Sequence, residues 1–409
     1  MTPDPHHLAL PAGALLFQEG DAGSAAYLVV SGSIDIFVTR GASDQSIARR
    51  GVGEIVGEMA LLDSRPRSAS ARAVEPCVLA VITADQIERR LQQVDPILRM
   101  CLEVVIARFR EMIGGTGAPK SAGPTPASRA ALDALSLEGE IRRGLAESEF
   151  CLYYQPIVDL QSRALAGFEG LMRWRHPTRG LVAPVDFIPA AEVGGLICDL
   201  TALALAEAAL TFPLLTAAAK LQLDAAPFLS INVSCQDLLH PDFARRVEAL
   251  TGGLGEAAGR IKLELTESAL MQDAERATIA LENCRRLGVG VAIDDFGTGY
   301  SSLGYLATLP ITTLKVDRSF VRSMRDSAAN RKIVQTILRL AEELDIPVVA
   351  EGVETETEAE ELAAMGCQYG QGYGFGRPVS LEETVRVIAA WPRVAVKRPH
   401  RPAAANAVN

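Results

Sequence analysis

The sequence predicts a multidomain chain in which a small all-β unit precedes an eight-stranded α/β barrel, and three observations predict it. Short apolar runs separated by glycines fill the first 83 residues, the pattern of a compact β-roll. Beyond residue 131, eight apolar runs of strand length alternate with helical stretches, which is the count of a (β/α)8 barrel. Between the two lies Gly114 to Ser128, containing Gly-Gly-Thr-Gly-Ala-Pro and Pro-Thr-Pro, a linker by composition.

Both parts have room for a core, since 409 residues suffice for two or three domains. A formal net charge of -10 argues against a general nucleic-acid binder, which needs a basic surface. The opening Met1-Thr2-Pro3-Asp4 has no positive n-region or apolar core, so no export signal is expected. The most apolar helix, Leu200 to Leu215, is interrupted by Glu207 and Pro213 and reads as a core helix, not a membrane span. Seven cysteines without any Cys-x-x-Cys pair fit reduced thiols in the cytoplasm. No His-Glu-x-x-His or His-Asp pair occurs, so a catalytic metal would be held by oxygens.

In chain order, residues 1–83 offer strands at Leu15-Phe17, Tyr27-Val30, Ile34-Val38 and Val78-Ile82, punctuated by Gly20, Gly23, Gly32 and Gly41. Within them a short helical turn opens with Gly57-Glu58 and is followed by Arg67-Ser68. Such a turn is expected to offer backbone N–H groups, a hydroxyl and a guanidinium to one phosphate, with a carboxylate nearby for a sugar hydroxyl. The segment Gly57-Glu58-Met59-Ala60-Leu61 to Arg67-Ser68-Ala69-Ser70 resembles the cyclic-nucleotide-binding domain family. The resemblance implies that Glu58 takes the ribose 2′-hydroxyl and Arg67 the cyclic phosphate of cAMP or cGMP, with Ser68 beside it. A vestigial, structural Arg67-Glu58 contact is the competing reading.

Residues 84–113 read as a connector helix with an apolar face at Ile87, Leu91, Val94, Leu98, Cys101, Leu102, Val105 and Phe109. Pro96 kinks it or divides it in two. In the resembled family the equivalent helix dimerises, which implies a homodimer; the alternative is a helix packed back on its own β-roll. No helix-turn-helix follows, so no DNA partner is expected. Residues 114–131 are assigned to the linker, 132–392 to the barrel and 393–409 to a disordered tail.

Barrel strands are expected at Cys151-Tyr154, Leu165-Trp174, Phe228-Val233, Ile261-Leu265, Val289-Asp294, Thr313-Val316, Pro347-Ala350 and Gln368-Gly372. Chemistry in such barrels gathers at the C-terminal strand ends. Those ends carry Glu169, Asn232, Glu264, Asp294 with Asp295, Lys315 with Asp317, Glu351 and Gln371. Singly, each has a bland explanation, a cap or a surface charge. Together they form an oxygen-rich pocket for hard divalent cations.

Adjacent aspartates repel unless a cation or proton lies between them. For both to converge the strand must end there, with Gly297 and Gly299 supplying the turn. Lys315 and Asp317, two apart, share a face, so the ammonium sits beside the carboxylates. Two metals around a water suit in-line displacement at phosphorus, and hence phosphodiester hydrolysis.

The second part also resembles a known family along its length. Gln155-Pro156, Glu169-Gly170-Leu171-Met172-Arg173, Phe187-Ile188-Pro189, Asn232-Val233-Ser234, Glu264-Leu265-Thr266-Glu267, Asp294-Asp295-Phe296-Gly297-Thr298-Gly299, Lys315-Val316-Asp317, Glu351-Gly352-Val353-Glu354 and Gln371-Gly372-Tyr373 are similar to the motifs of EAL-domain cyclic di-GMP phosphodiesterases. The resemblance implies a divergent TIM barrel that opens cyclic di-GMP to linear pGpG with two Mg²⁺ or Mn²⁺ ions. It implies Glu169, Asn232, Glu264 and Asp294 as ligands of one metal, with Asp294 bridging to a second held also by Asp295. It implies that Lys315 orients or helps deprotonate the water, that Glu351 acts through metal-bound water or as an accessory base, and that Gln371 supports the network. Gln155, Arg173 and Asp317 bind substrate. Glu267 anchors the loop from Phe296 to Ser302. One departure is visible: the signature tripeptide is Glu-Gly-Leu, not Glu-Ala-Leu, and Gly170 is expected to loosen Glu169 slightly. The rival to an active hydrolase is an effector that binds cyclic di-GMP without cutting it.

Overall fold

The computed structural model describes residues 7–41, 43–62, 65–91, 94–114, 126–223, 225–267, 270, 273–297 and 309–392. The chain divides into two compact units, Met1–Leu137 and Glu138–Asn409.

The first unit contains eight strands: β1 His7–Leu10, β2 Leu15–Phe17, β3 Ala25–Ser31, β4 Ile34–Arg40, β5 Ser43–Arg50, β6 Ile55–Val56, β7 Ser70–Ala73 and β8 Cys77–Thr83. They form two antiparallel four-stranded sheets, ordered β1-β8-β3-β6 and β2-β7-β4-β5. Alternation along the strands turns Val29, Ile34, Val56, Ala71 and Leu79 into a shared core. The expected connector is two helices, Ala84–Leu91 and Pro96–Gly114. Asp95 stops the first reading through: its Oδ1 accepts the N–H groups of Ile97 (2.9 Å) and Leu98 (3.1 Å), while Pro96 opens the second helix where a missing N–H costs nothing. A further helix, Pro126–Ala146, begins inside the stretch read as linker. Residues 115–125 and the expected tail, 393–409, lie outside the described residues.

The second unit is a closed eight-stranded barrel: β9 Phe150–Asp159, β10 Leu165–His176, β12 Phe228–Asn232, β13 Ile261–Thr266, β14 Gly290–Phe296, β15 Thr313–Val316, β16 Val348–Ala350 and β17 Tyr369–Gln371. A short β11, Gly180–Val182, pairs only with the end of β10. The strands are not all parallel, as the alternation predicted. β9 runs antiparallel to both neighbours, β10 and β17. The reason is local: Asp159 Oδ1 accepts the N–H groups of Gln161 (3.1 Å) and Ser162 (2.7 Å), and the tight turn returns the chain directly, which only an antiparallel pair permits.

Helix Ile197–Lys220 is long and apolar enough to cross a membrane by length and composition. Here it buries Ala204, Leu205, Ala208 and Leu215, in the same core as Phe168, Leu229 and Ile231. At one end of the barrel interior Lys262 donates to Thr313 Oγ1 (2.9 Å) and lies 3.9 Å from the centre of the Phe228 ring. Burial pulls this amine down to about 8.

Candidate active site

Strand β14 delivers the two aspartates through a bulge. Its pairing with β15 breaks between Ile293 and Phe296, and Asp295 adopts φ +53. Asp is one of the few residues besides Gly that enters this region. An extra residue in one strand re-aims the side chains beside it, so carboxylate oxygens of Asp294, Asp295 and Glu351 come within 4.8 Å of one another. The strand therefore does not stop at the aspartates, as expected, but runs through Phe296, with Gly297 at φ +96 after it. Gly299 lies outside the described residues.

Lys315, fully buried on β15, stands among the carboxylates. Its Nζ lies 2.5 Å from Glu351 Oε1, 2.8 Å from Glu264 Oε2, 3.2 Å from Asp294 Oδ1 and 3.5 Å from Glu169 Oε2. Burial alone would lower this amine; the four surrounding carboxylates outweigh it and hold the group well above its ordinary value. Burial likewise pushes Glu264 and Glu351 above the usual carboxylate range, with Lys315 pulling the other way. Four carboxyl groups face one ammonium, and Glu264 and Glu351 hold their protons until a further cation draws them off, so the cage has carboxylates to spare for one.

The rest of the cage is braced by amides. Asn232 Nδ2 donates to Glu169 Oε1 (2.6 Å), and Gln371 Nε2 donates to Glu169 Oε2 (2.6 Å) and to Gln155 Oε1 (3.1 Å). Gln155 in turn donates to the Gly376 carbonyl (3.2 Å). Asn232, expected as a metal ligand, and Gln371, expected to support the network, both meet Glu169, and Gln155, expected at the substrate, reaches it through Gln371. Gln371 Oε1 is buried without a hydrogen-bond partner among the described residues, an acceptor left open. Oxygen donors, carboxyl groups in excess of the one ammonium and an acceptor left open together fit hard divalent cations.

Three other expected residues sit around this centre. Asp317 follows the end of β15 and caps helix Arg318–Ser323, its Oδ1 accepting from the Ser319 N–H (3.0 Å); it lies past the strand instead of on it, and its carboxylate meets that of Asp295. Asp295 is pushed up to about 6 by burial, with Asp294 and Asp317 adding to it. Arg173 donates to the Met172 carbonyl (2.8 Å) and lies 5.9 Å from the Tyr153 ring, with no carboxylate at ion-pair distance among the described residues. Glu267 Oε2 accepts from the Gly297 N–H (3.1 Å), a bond to the start of the expected loop, whose residues 298–302 lie outside the described ones.

A cavity of about 790 Å³ opens over the cage. Glu169, Asn232, Asp294 and Asp295 form its polar side, and Leu152, Ile197, Leu200, Ala204 and Ile231 its apolar one. Sequence reasoning missed that apolar wall, because on a helix and two strands these residues carry only the signal of core.

In the first unit a cavity of about 710 Å³ is lined by Gly57, Glu58, Arg67 and Ser68, as expected, and by Arg40 and Gln45 from β4 and β5. Arg67 is buried, donates to the carbonyls of Gly57 (2.6 Å) and Ala25 (2.5 Å), and stacks 4.2 Å from the Phe17 ring. Its Nε has no partner. Gly57, at φ +83, leaves room for that guanidinium, which a Cβ would strike.

The profile of the EAL domain matches residues 138–378, more than half of the chain. The chain belongs to the EAL domain family. Ahead of its EAL domain, the cyclic nucleotide-binding domain profile matches residues 7–94. The cyclic di-GMP phosphodiesterase NbdA of Pseudomonas aeruginosa is 40% identical over 255 residues, covering 62% of this chain and 32% of that protein. An uncharacterised signalling protein of Caulobacter vibrioides is 39% identical over 248 residues, covering 60% of this chain and 30% of that protein. This chain thus spans less than half the length of these relatives. The solved EAL enzyme Bd1971, in its cAMP- and cyclic-di-GMP-bound form, is 36% identical with a TM-score of 0.65, covering 93% of this chain and 100% of its own.

Proposed function

We propose that the EAL domain hydrolyses cyclic di-GMP to linear pGpG with two Mg²⁺ or Mn²⁺ ions. The observation that carries this reading is the cage itself, four carboxylates and two amides gathered around a single buried ammonium. Glu169, Asn232, Glu264 and Asp294 would hold one ion, and Asp294, Asp295 and Glu351 a second. When bound, such ions supply the charge that activates water and stabilises the oxygens of an in-line displacement.

The protein's own groups set the geometry. Gln371 fixes the carboxylate plane of Glu169, Lys315 keeps a permanent positive charge at the centre, and Arg173 offers a planar fork to a substrate phosphate. The apolar side of the cavity takes the substrate's base. NbdA carries the phosphodiesterase name, and the MucR phosphodiesterase of known structure is a cyclic di-GMP complex. Purified protein incubated with cyclic di-GMP and Mg²⁺ or Mn²⁺ should yield pGpG by chromatography; bound, uncut nucleotide would establish the effector reading instead.

Regulation belongs to the same proposal. A buried Arg67 with no carboxylate at ion-pair distance among the described residues suits an anion, and Bd1971 structures carry cAMP or cGMP. A cyclic mononucleotide at Arg67 would bias the turnover of the EAL domain through its differential affinity for two states. Exposed Leu98, Leu102 and Val105 on helix Pro96–Gly114 support pairing of two copies, which light scattering tests. The protein is proposed to act in the cytoplasm, without DNA or membrane as partner.

A further inference from the structure

The departure at Gly170 has a physical partner. Gly170 lies inside β10, paired with Tyr154 of β9 on one side and Ile231 of β12 on the other, and its φ is not positive. Two ladders therefore hold its backbone, and the expected loosening of Glu169 does not follow. A methyl at position 170 would lie 2.7 Å from Ile231 Cδ1, but 3.5 Å from Leu152 Cδ1 and from the Ser230 carbonyl. Only the Ile231 contact is tighter than van der Waals packing allows. Ile231, buried to 1% exposure, thus occupies the room that an alanine side chain would take.

Both residues also form part of the cavity wall, on its apolar side next to Glu169 and Asn232. At 1% exposure Ile231 presents almost no surface of its own to the cavity and acts from behind the wall, filling the space over Gly170. Crowding its δ-carbon presses on the lining from behind, and shortening the side chain withdraws that support.

We propose that Gly170 and Ile231 act as one packing unit that sets the depth of the apolar recess beside the cage. Ile231 is then a positioning residue that determines how a bound nucleotide's base fits. This rests on the cyclic di-GMP reading above.

The test is a double-mutant cycle on the full-length, metal-free protein, measuring cyclic di-GMP affinity by calorimetry and Tm by thermal melting for wild type, I231V, G170A and G170A/I231V. Ile231→Val should weaken binding about five-fold, the order expected for one lost methylene. Gly170→Ala should weaken it by a similar factor, by pressing the δ-carbon against the lining. The double variant should return to within about two-fold of wild type and recover the Tm lost by each single change, a non-additivity expected only of residues in contact. Additive losses overturn the proposal. So do single variants that bind like wild type, even where their Tm values couple, because the pair is then packing without consequence for the ligand. Absence of any binding by wild type would overturn the nucleotide reading itself, and the wild-type titration alone reveals that case.

Discussion

Each unit of the molecule buries one cationic side chain, and the two are treated in opposite ways. Arg67 meets two carbonyls and a ring face, with its Nε left without a partner among the described residues. Lys315 meets four carboxylates. A buried charge is tolerated only when something compensates it, so the imbalance tells what each site lacks. The first is short of an anion and the second is short of cations. The sign of the missing charge separates a nucleotide-phosphate site from a metal site before any ligand is seen.

The comparison is broken most forcefully at Lys315. Lys315→Met leaves its carboxylates to repel one another across a buried cage, and should lower the stability of the metal-free protein by about 3 to 5 kcal/mol. Added Mn²⁺ should restore much of the lost Tm. A melt unchanged from wild type would mean that the ammonium does not balance the cage. Next in size, Asp294→Asn should cut cyclic di-GMP turnover more than about 100-fold, because groups that merely support metal ligands already cost 10- to 100-fold. In the first unit, Arg67→Ala should weaken cAMP or cGMP binding by at least about ten-fold, the worth of a charge-assisted hydrogen bond. Equal affinity would leave Arg67 as a strut between β3 and the turn at Gly57.

Lys262 sharpens the contrast on a smaller scale, as a half-buried cation that meets a hydroxyl and aromatic faces, with Glu264 supplying too little charge to offset its desolvation. It holds its proton less tightly folded, at about 8, than at its ordinary value of 10.5. The unfolded chain thus binds more protons between those values, and stability should rise as pH climbs from about 8 to 10.5. Below about 8 the penalty is fully present. Lys262→Met should therefore raise stability at pH 7 by on the order of 2 kcal/mol, with the gain fading toward pH 10.5 in a series of denaturant melts.

Much of this was legible in the sequence, and the failures have physical reasons. Glu169, Glu264 and Lys315 stood out because polar groups closing apolar strands are expensive unless used. The antiparallel β9 was not legible, because Asp159 to Ala164 looks like any short polar connection until its Asx turn is seen. Nor was the bulge at Asp295, since strand periodicity says nothing about which residue will take a positive φ. Asp317 was misplaced by one structural element, since a residue past a strand end continues the alternation only if the strand continues. At Gly170 a single residue suggested freedom, whereas its conformation is set by Ile231, which lies 61 positions later and adjacent only in the fold.

The ammonium within the cage has a consequence for the protein's life between catalytic cycles. Because Lys315 serves as a resident counter-ion, the domain is expected to become ordered without a divalent ion, in contrast to small structural metal domains that fold only on loading. Chelation should then act as a reversible mute, leaving a native scaffold that any later pulse of Mg²⁺ or Mn²⁺ can reawaken without refolding.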